Sequence, residues 1–288
     1  RVWAIAIRPR TLPAAVAPVL IGTALAWADG AFSLLPALVA LTVSVLVQIA
    51  ANLANDYFDY VKGTDTPVRT GPTRVAQSGL LSLSRLRVGI AVTVAAAAAL
   101  GLYLVAVGGW PILAIGVASL ISALVYSGGP RPIGYHGLGD LFVFLFFGLA
   151  AVCGSYYVQA LTLTPKVIVA AVPVGLLTTA ILVVNNLRDM DTDRATGKRT
   201  LPVIIGARAT RAEYGLLLAA AYGVVLALWL AGWSSAWVLL PWLTLPLAIQ
   251  LANVVYQTSK GPSLNQALAR TASLDLLFSF LFALGLVL

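Results

Sequence analysis

The sequence predicts an all-α, polytopic membrane protein. About nine transmembrane helices would form a single bundle with a cavity facing the cytoplasm. Three observations predict this. The 288-residue chain is 60% hydrophobic and only 10% charged, with a mean hydropathy of +0.95, far from a soluble globular domain. Its apolar runs have the length of helices, not of the short alternating strands of a barrel, and lipid admits only those two solutions. Its basic residues fall on one side of the resulting topology.

In chain order the spans lie at about 11–28, 34–54, 88–108, 111–127, 139–159, 167–187, 213–231, 235–256 and 270–288, each near the roughly 20 residues that cross a bilayer. Gly108-Gly109-Trp110-Pro111 joins the third and fourth in a tight hairpin. Long loops, at about 55–87 and 188–212, follow the second and sixth spans. These spans are four apart, so two related four-helix halves plus a ninth helix are expected within one domain, 1–288. No cleavable signal segment is evident. The chain starts at Arg1 without Met, so the native N-terminus is expected upstream.

Charge placement supports the topology. With Arg1, Arg8 and Arg10 in the cytoplasm, the loops at 55–87, 128–138, 188–212 and 257–269 fall on the same side. Of the 18 Lys and Arg, only Lys166 lies opposite. The C-terminus is then outside the cell (inner) membrane. The net charge of +8 reads as a cytoplasmic face, not a nucleic-acid surface. Nothing points to an obligate protein partner. Cys153, the sole cysteine, excludes a disulfide framework and reads as a packing residue.

Carboxylates are unfavourable at the edge of a bilayer, yet two clusters stand there. One is Asn52-Leu53-Ala54-Asn55-Asp56-Tyr57-Phe58-Asp59; the other is Asn185-Asn186-Leu187-Arg188-Asp189-Met190-Asp191-Thr192-Asp193. Residues three and four apart share a helix face. Asn52, Asn55, Asp56 and Asp59 therefore project together if the helix continues that far, as do Asn185, Asp189 and Asp193, with Asn186 alongside. Asp191 points away and is expected to be solvated. These are hard oxygen donors suited to Mg²⁺, and no His or Cys joins them to favour Zn²⁺. The candidate metal ligands are Asn55, Asp56, Asp59, Asn185, Asp189 and Asp193.

Mg²⁺ completes its sphere with water and phosphate oxygens. Two facing clusters could thus grip a diphosphate, with Asn52, Lys62, Arg69, Arg74, Arg131, Arg188, Lys198 and Arg199 as further contacts. A polyprenyl diphosphate fits the phases, its tail in lipid and its head at the edge. An allylic cation left after the C–O bond breaks needs a dry, aromatic chamber. Tyr57, Phe58, Tyr126, Phe142 and Phe146 are candidates. An ion-coupled transporter also places acids in a bundle, but near the midplane rather than at one face among bases. Asp275, inside the last span, is expected to hydrogen-bond structurally, and His136 to be solvated.

These residues resemble the UbiA superfamily of intramembrane prenyltransferases. Its first motif, Asn-Asp-x-x-Asp-x-x-x-Asp, is matched by Asn55-Asp56-Tyr57-Phe58-Asp59 but ends in Gly63; its second, Asp-x-x-x-Asp, is matched by Asp189 and Asp193. Within it, Arg8-Pro9-Arg10-Thr11-Leu12-Pro13, Tyr126-Ser127-Gly128-Gly129-Pro130, Gly137-Leu138-Gly139-Asp140 and Gly197-Lys198-Arg199-Thr200-Leu201-Pro202 are most similar to the branch that prenylates 1,4-dihydroxy-2-naphthoate. Asp140 stands where that branch is expected to have Glu. The resemblance implies Mg²⁺-dependent transfer of a polyprenyl group to that acceptor, releasing CO₂ and diphosphate to give demethylmenaquinone. It implies Asp59, Asp189, Asp193, Lys198 and Tyr126 as catalytic residues. Asp65 and Asp140 are possible assistants. Arg8, Arg10, Arg131 and Lys198 compete to hold the acceptor carboxylate. Other acceptors of the superfamily are 4-hydroxybenzoate, homogentisate, haem and sugar phosphates.

Overall fold

The computed structural model describes residues 2–65, 71–258 and 262–288. Among these there is no strand, only an isolated bridge between His136 and Arg199. The helices are α1 (Val2–Ile7), α2 (Pro13–Ala28), α3 (Leu34–Val61), α4 (Leu83–Gly108), α5 (Trp110–Val125), α6 (Gly139–Ala160), α7 (Pro165–Ala195), α8 (Leu201–Leu230), α9 (Ala236–Gln257) and α10 (Pro262–Val287). The expected residue Arg69 lies outside the described residues, as do Arg1 and Lys260.

Every expected span coincides with one of these elements. Seven described helices are long and apolar enough to cross a bilayer, and α1–α2 makes an eighth, bent by 50°. The fourth expected span, α5, is only 16 residues. It is squeezed between the Gly109 turn, where φ is +69°, and its end before Tyr126. A prolyl residue opens α2, α7 and the first turn of α8, where a missing N–H leaves no helix bond unmade.

Both expected long loops are much shorter than hydropathy implied. α3 runs on to Val61 and α7 to Ala195, so both Asn/Asp clusters are helical. The second loop shrinks to residues 196–200, followed by a short helical turn and a kink at Gly206, where φ is +82°, before the rest of α8 runs on. The reason is physical: hydropathy marks where lipid ends, while the backbone continues its internal hydrogen bonds into water. α3 stops because Gly63 takes φ +70° at its C-terminal cap. Gly63, the position at which the first motif would end in Asp, thus lies just beyond the helix.

α7 is the central helix, packed by α2, α6, α8 and α10. Its Val174, Leu177, Ala180 and Val184 join Tyr156, Tyr214, Phe278 and Phe282 in the main core. α6 crosses it closely: a Cβ on Gly148 would sit 2.5 Å from the Gly175 Cα. Small residues permit such backbone approach in membranes. Over Phe144–Ala150 the turns of α6 widen into a π-helix.

Candidate functional site

A cavity of about 460 Å³ runs between α3, α4, α5, α6 and α7. Its length is apolar. Its polar end gathers Asn52, Asn55 and Asp59 from α3, Asn185, Asn186, Asp189 and Asp193 from α7, and Arg8, Asp65, Arg74 and Lys198 from connecting segments. The two clusters read from the sequence thus meet at one chamber.

In the first cluster Asp59 is 1% exposed. Arg74 Nη2 lies 3.4 Å from its Oδ2, and Lys198 Nζ 3.6 Å. Arg74, itself buried, also reaches Asp65 at 3.4 Å through Nε. Asn55 accepts from Arg8 Nη1 at 3.3 Å and donates to Ser127 Oγ at 2.7 Å.

In the second cluster Arg188 donates through Nε and Nη2 to the two Asp189 oxygens, at 2.8 and 2.6 Å. It also donates to Asn185 and to Asn265 of α10. Asp193 accepts from Thr200 Oγ1 at 3.4 Å. Lys198 Nζ stands 4.0 Å from Asp193 and 3.6 Å from Asp59. One ammonium therefore touches both clusters. It is placed by the turn at Gly197, φ +79°, and by a bond from its N–H to the Asp193 carbonyl.

Tyr135 was not singled out in the sequence, yet it ties this end together. Its hydroxyl donates to Asp59 Oδ1 at 2.7 Å and lies 2.9 Å from Thr64 Oγ1. Two ammonium groups stand over its ring, Lys62 at 5.1 Å and Lys198 at 4.8 Å from the centroid. Its carbonyl accepts from Arg199 N. Burial, then the charge of Asp59, raises the phenol above its ordinary pKa, so it stays a donor at neutral pH. Burial lowers the pKa of Lys62; Asp59 opposes this and Lys198 adds to it. An uncharged residue in a Gly-rich loop offered no sequence signal for any of this.

Several expected site residues stand elsewhere. Asp56 turns off the shared face: its two oxygens accept from the backbone N–H groups of Val75 and Ala76, each at 3.1 Å, so it fastens the loop after α3. Asn52 lines the cavity, but its amide donates to the Ile7 carbonyl and Thr11, strapping α1 to α3. Lys62 donates to the Ser127 and Gly129 carbonyls. Arg188 braces Asp189 from outside the chamber. Arg10, Arg131 and Arg199 are exposed and do not line it.

Among the aromatics, Tyr126, Phe142 and Phe146 line the cavity, joined by Phe147. Phe142 and Phe146 stack with centroids 5.8 Å apart. Tyr57 instead packs beside Leu53 and Val75, and Phe58 lies against Gly128. Tyr126 abuts Gly139, next to buried Asp140. Asp275 is fully buried beside Thr178 and does not line the cavity. His136 is exposed and hydrogen-bonded to the Pro132 carbonyl, and Asp191 is exposed beside Arg194.

The donor set suits a hard cation. Asp59, Asp189 and Asp193 are buried carboxylates and Asn55 and Asn185 add amide oxygens. Among the described residues no three acidic, His or Cys side chains converge on one point. An ion here would therefore take oxygens from elsewhere, as Mg²⁺ does with phosphates.

The profile of the UbiA prenyltransferase family matches residues 15–284. The chain belongs to this family. Among its UbiA relatives, the 1,4-dihydroxy-2-naphthoate octaprenyltransferase of Escherichia coli is 42% identical over 293 residues, covering 99% of this chain and 95% of that protein. The enzyme of the same name from Mycobacterium tuberculosis is 38% identical, covering 93% and 91%. The fold matches a UbiA homologue from Archaeoglobus fulgidus bound to GPP and Mg²⁺, with a TM-score of 0.70, 16% identity and coverage of 100% and 99%. It also matches an apo UbiA homologue from Aeropyrum pernix, at 0.69 and 19% identity over 94% of this chain and 96% of that one. Membership in the UbiA family sets aside the transporter reading.

Proposed function

We propose that this chain, acting as one transmembrane domain over 1–288, transfers a polyprenyl group from its diphosphate to 1,4-dihydroxy-2-naphthoate. CO₂ and diphosphate leave and the quinol form of demethylmenaquinone is produced. The observation that carries the chemistry is the single ammonium of Lys198 between Asp59 and Asp193, at the polar end of an apolar cavity. The acceptor follows from full-length likeness to enzymes named for it.

Mg²⁺ would be held by Asp59, Asp189 and Asp193 with Asn55 and Asn185. Once bound, it neutralises and binds the leaving diphosphate. Arg74 and Lys198 add cationic donors where negative charge develops on the leaving oxygen. Phe142, Phe146 and Tyr126 offer ring faces to the allylic cation, and the apolar wall keeps water from capturing it. The carboxyl-bearing ring carbon of the acceptor attacks the allylic carbon as its C–O bond breaks. The C–CO₂ bond then breaks and its electron pair restores the aromatic ring, so no net proton is lost. Arg8, which lines the chamber, is the cation best placed for the acceptor carboxylate. The basic loops support a cytoplasmic position for this end.

The test is an acceptor panel with purified protein, Mg²⁺ and a polyprenyl diphosphate, read by mass spectrometry. Prenylated, decarboxylated naphthoquinol is the expected product. Product from 4-hydroxybenzoate alone would replace the acceptor.

A further inference from the structure

The elbow between α1 and α2 has two faces. Arg8, Thr11 and Ala14 line the chamber. Arg10, Pro13 and Val16 line a second hollow, a groove between α2 and α10. The two hollows share no lining residue. Thr11, which accepts hydrogen bonds from Gln48 and Asn52 of α3, belongs to the inner face. The outer face carries Arg10, which is exposed and makes no hydrogen bond or ion pair among the described residues.

The groove has a charged head and an apolar length. Arg10 is its only charged lining residue and stands where α2 begins. Beyond it the walls are Val16 and Leu20 of α2 and Leu276, Leu277 and Phe280 of α10. These three α10 residues are exposed and form no part of the chamber wall, so the groove opens outward, towards lipid. Along α10 the lining runs from Ala269 to Phe280, about 16 Å of helix. A guanidinium at the membrane edge, followed by an apolar trough, matches a negatively charged headgroup joined to a hydrocarbon tail. Basic pockets between helices near a membrane face take anionic headgroups in this way.

Other occupants match less of the groove. A second copy docked about a two-fold axis along the membrane normal would bring Arg10 towards its own equivalent, with no acid in the groove to offset the repulsion. A polyprenyl diphosphate would meet one Arg and no carboxylate to hold its Mg²⁺.

We propose that an anionic phospholipid binds this groove, with its phosphate on Arg10 and one acyl chain along Leu20, Leu277 and Phe280. The lipid comes from the leaflet on the side of the basic loops, to which Arg10 belongs.

The experiment titrates the purified protein in detergent with dioleoylphosphatidylglycerol or dioleoylphosphatidylcholine. Retained lipid is counted by native mass spectrometry, beside a melting curve. No substrate is present, so the outcome is independent of prenyl transfer. The phosphatidylglycerol should be retained and should raise the melting temperature, and the phosphatidylcholine should do neither. Arg10→Gln should weaken the anionic lipid by about fivefold, the effect of one basic side chain at an anionic headgroup. Leu277→Trp, which fills the trough from its exposed side, should also weaken it. Arg85→Gln, on an exposed base of α4 away from the groove, should bind as the unmodified protein does. Equal affinity for the two lipids, or an equal loss in Arg85→Gln, would overturn the proposal. So would unchanged affinity in both groove variants. A delipidated dimer that Leu277→Trp converts to a monomer would overturn it too, and give the groove to a second copy.

Discussion

The Tyr135 hydroxyl donates to Asp59 Oδ1 at 2.7 Å while Lys62 and Lys198 both stand over the same ring. One uncharged side chain thus sets the direction of a buried carboxylate and contacts two ammonium groups. Tyr135→Phe keeps the ring but removes the bond. A hydrogen bond to a charged group is worth about 1.5–3 kcal/mol. Turnover should fall by roughly ten- to a hundredfold, and the melting temperature should also drop, by no more than a loss of about 1.5–3 kcal/mol produces. Steady-state kinetics beside a melting curve check this; unaltered turnover would leave Tyr135 only a packing role.

Lys198 joins the two clusters, so its loss should be felt more widely than that of any exposed base. Lys198→Ala leaves Asp59 and Asp193 without a shared cation and removes a donor to the leaving group. We expect kcat/KM for the polyprenyl diphosphate to drop on the order of a hundredfold or more. Arg199→Ala, on the neighbouring exposed residue, serves as the comparison and should stay within about threefold.

Asp56 and Asp59 are three apart in sequence and divide in role. Asp56→Ala strips the acceptors from two backbone N–H groups and should destabilise the fold by about 2 kcal/mol, leaving the Mg²⁺ dependence of the remaining activity intact. Asp59→Asn should instead abolish turnover in a protein that still melts near the normal temperature. Thermal unfolding and Mg²⁺ titration of both variants separate the two roles.

Chelation tests the hard-oxygen donor set directly. Activity should disappear in EDTA and return with added Mg²⁺, because Asp59, Asp189 and Asp193 need a divalent cation to face a diphosphate. Full activity in EDTA would remove the metal from the proposal.

The crossing of α6 and α7 predicts a purely structural effect. Gly148→Val would drive a side chain into the Gly175 backbone, and overpacking of this kind destabilises by about 1–3 kcal/mol. A lowered melting temperature in detergent is expected, whereas Gly223→Val on the exposed side of α8 should have no such effect.

Much of this was legible in the sequence, for reasons that differ by residue. The spans could be read because lipid demands long apolar runs, and Asp59, Asp189 and Asp193 because carboxylates rarely stand where such runs end. Their meeting at one chamber follows from α3 and α7 sharing a topology. The loop lengths could not be read, since composition does not report that a helix continues into water. Nor could the division between Asp56 and Asp59: helical spacing puts both on a broad face, and only the folded loop at Val75 and Ala76 claims one of them. Tyr135 and Thr64 were hidden because their roles depend on contacts between distant loops. The π-helical stretch of α6 was hidden because no residue type marks it.

That π-helical stretch has a consequence for how α6 tolerates change in length. A wide turn is one surplus residue carried within the register of an otherwise regular helix. Removing Leu145 would let the stretch relax to ordinary turns while the residues beyond it keep roughly their present directions. Removing a residue from the regular part of α6, such as Val152, would instead rotate everything beyond it by about 100°. Phe146 and Gly148 stand in the one part of the helix that can give up a residue. A single-codon deletion at Leu145 should therefore be far less harmful than one at Val152.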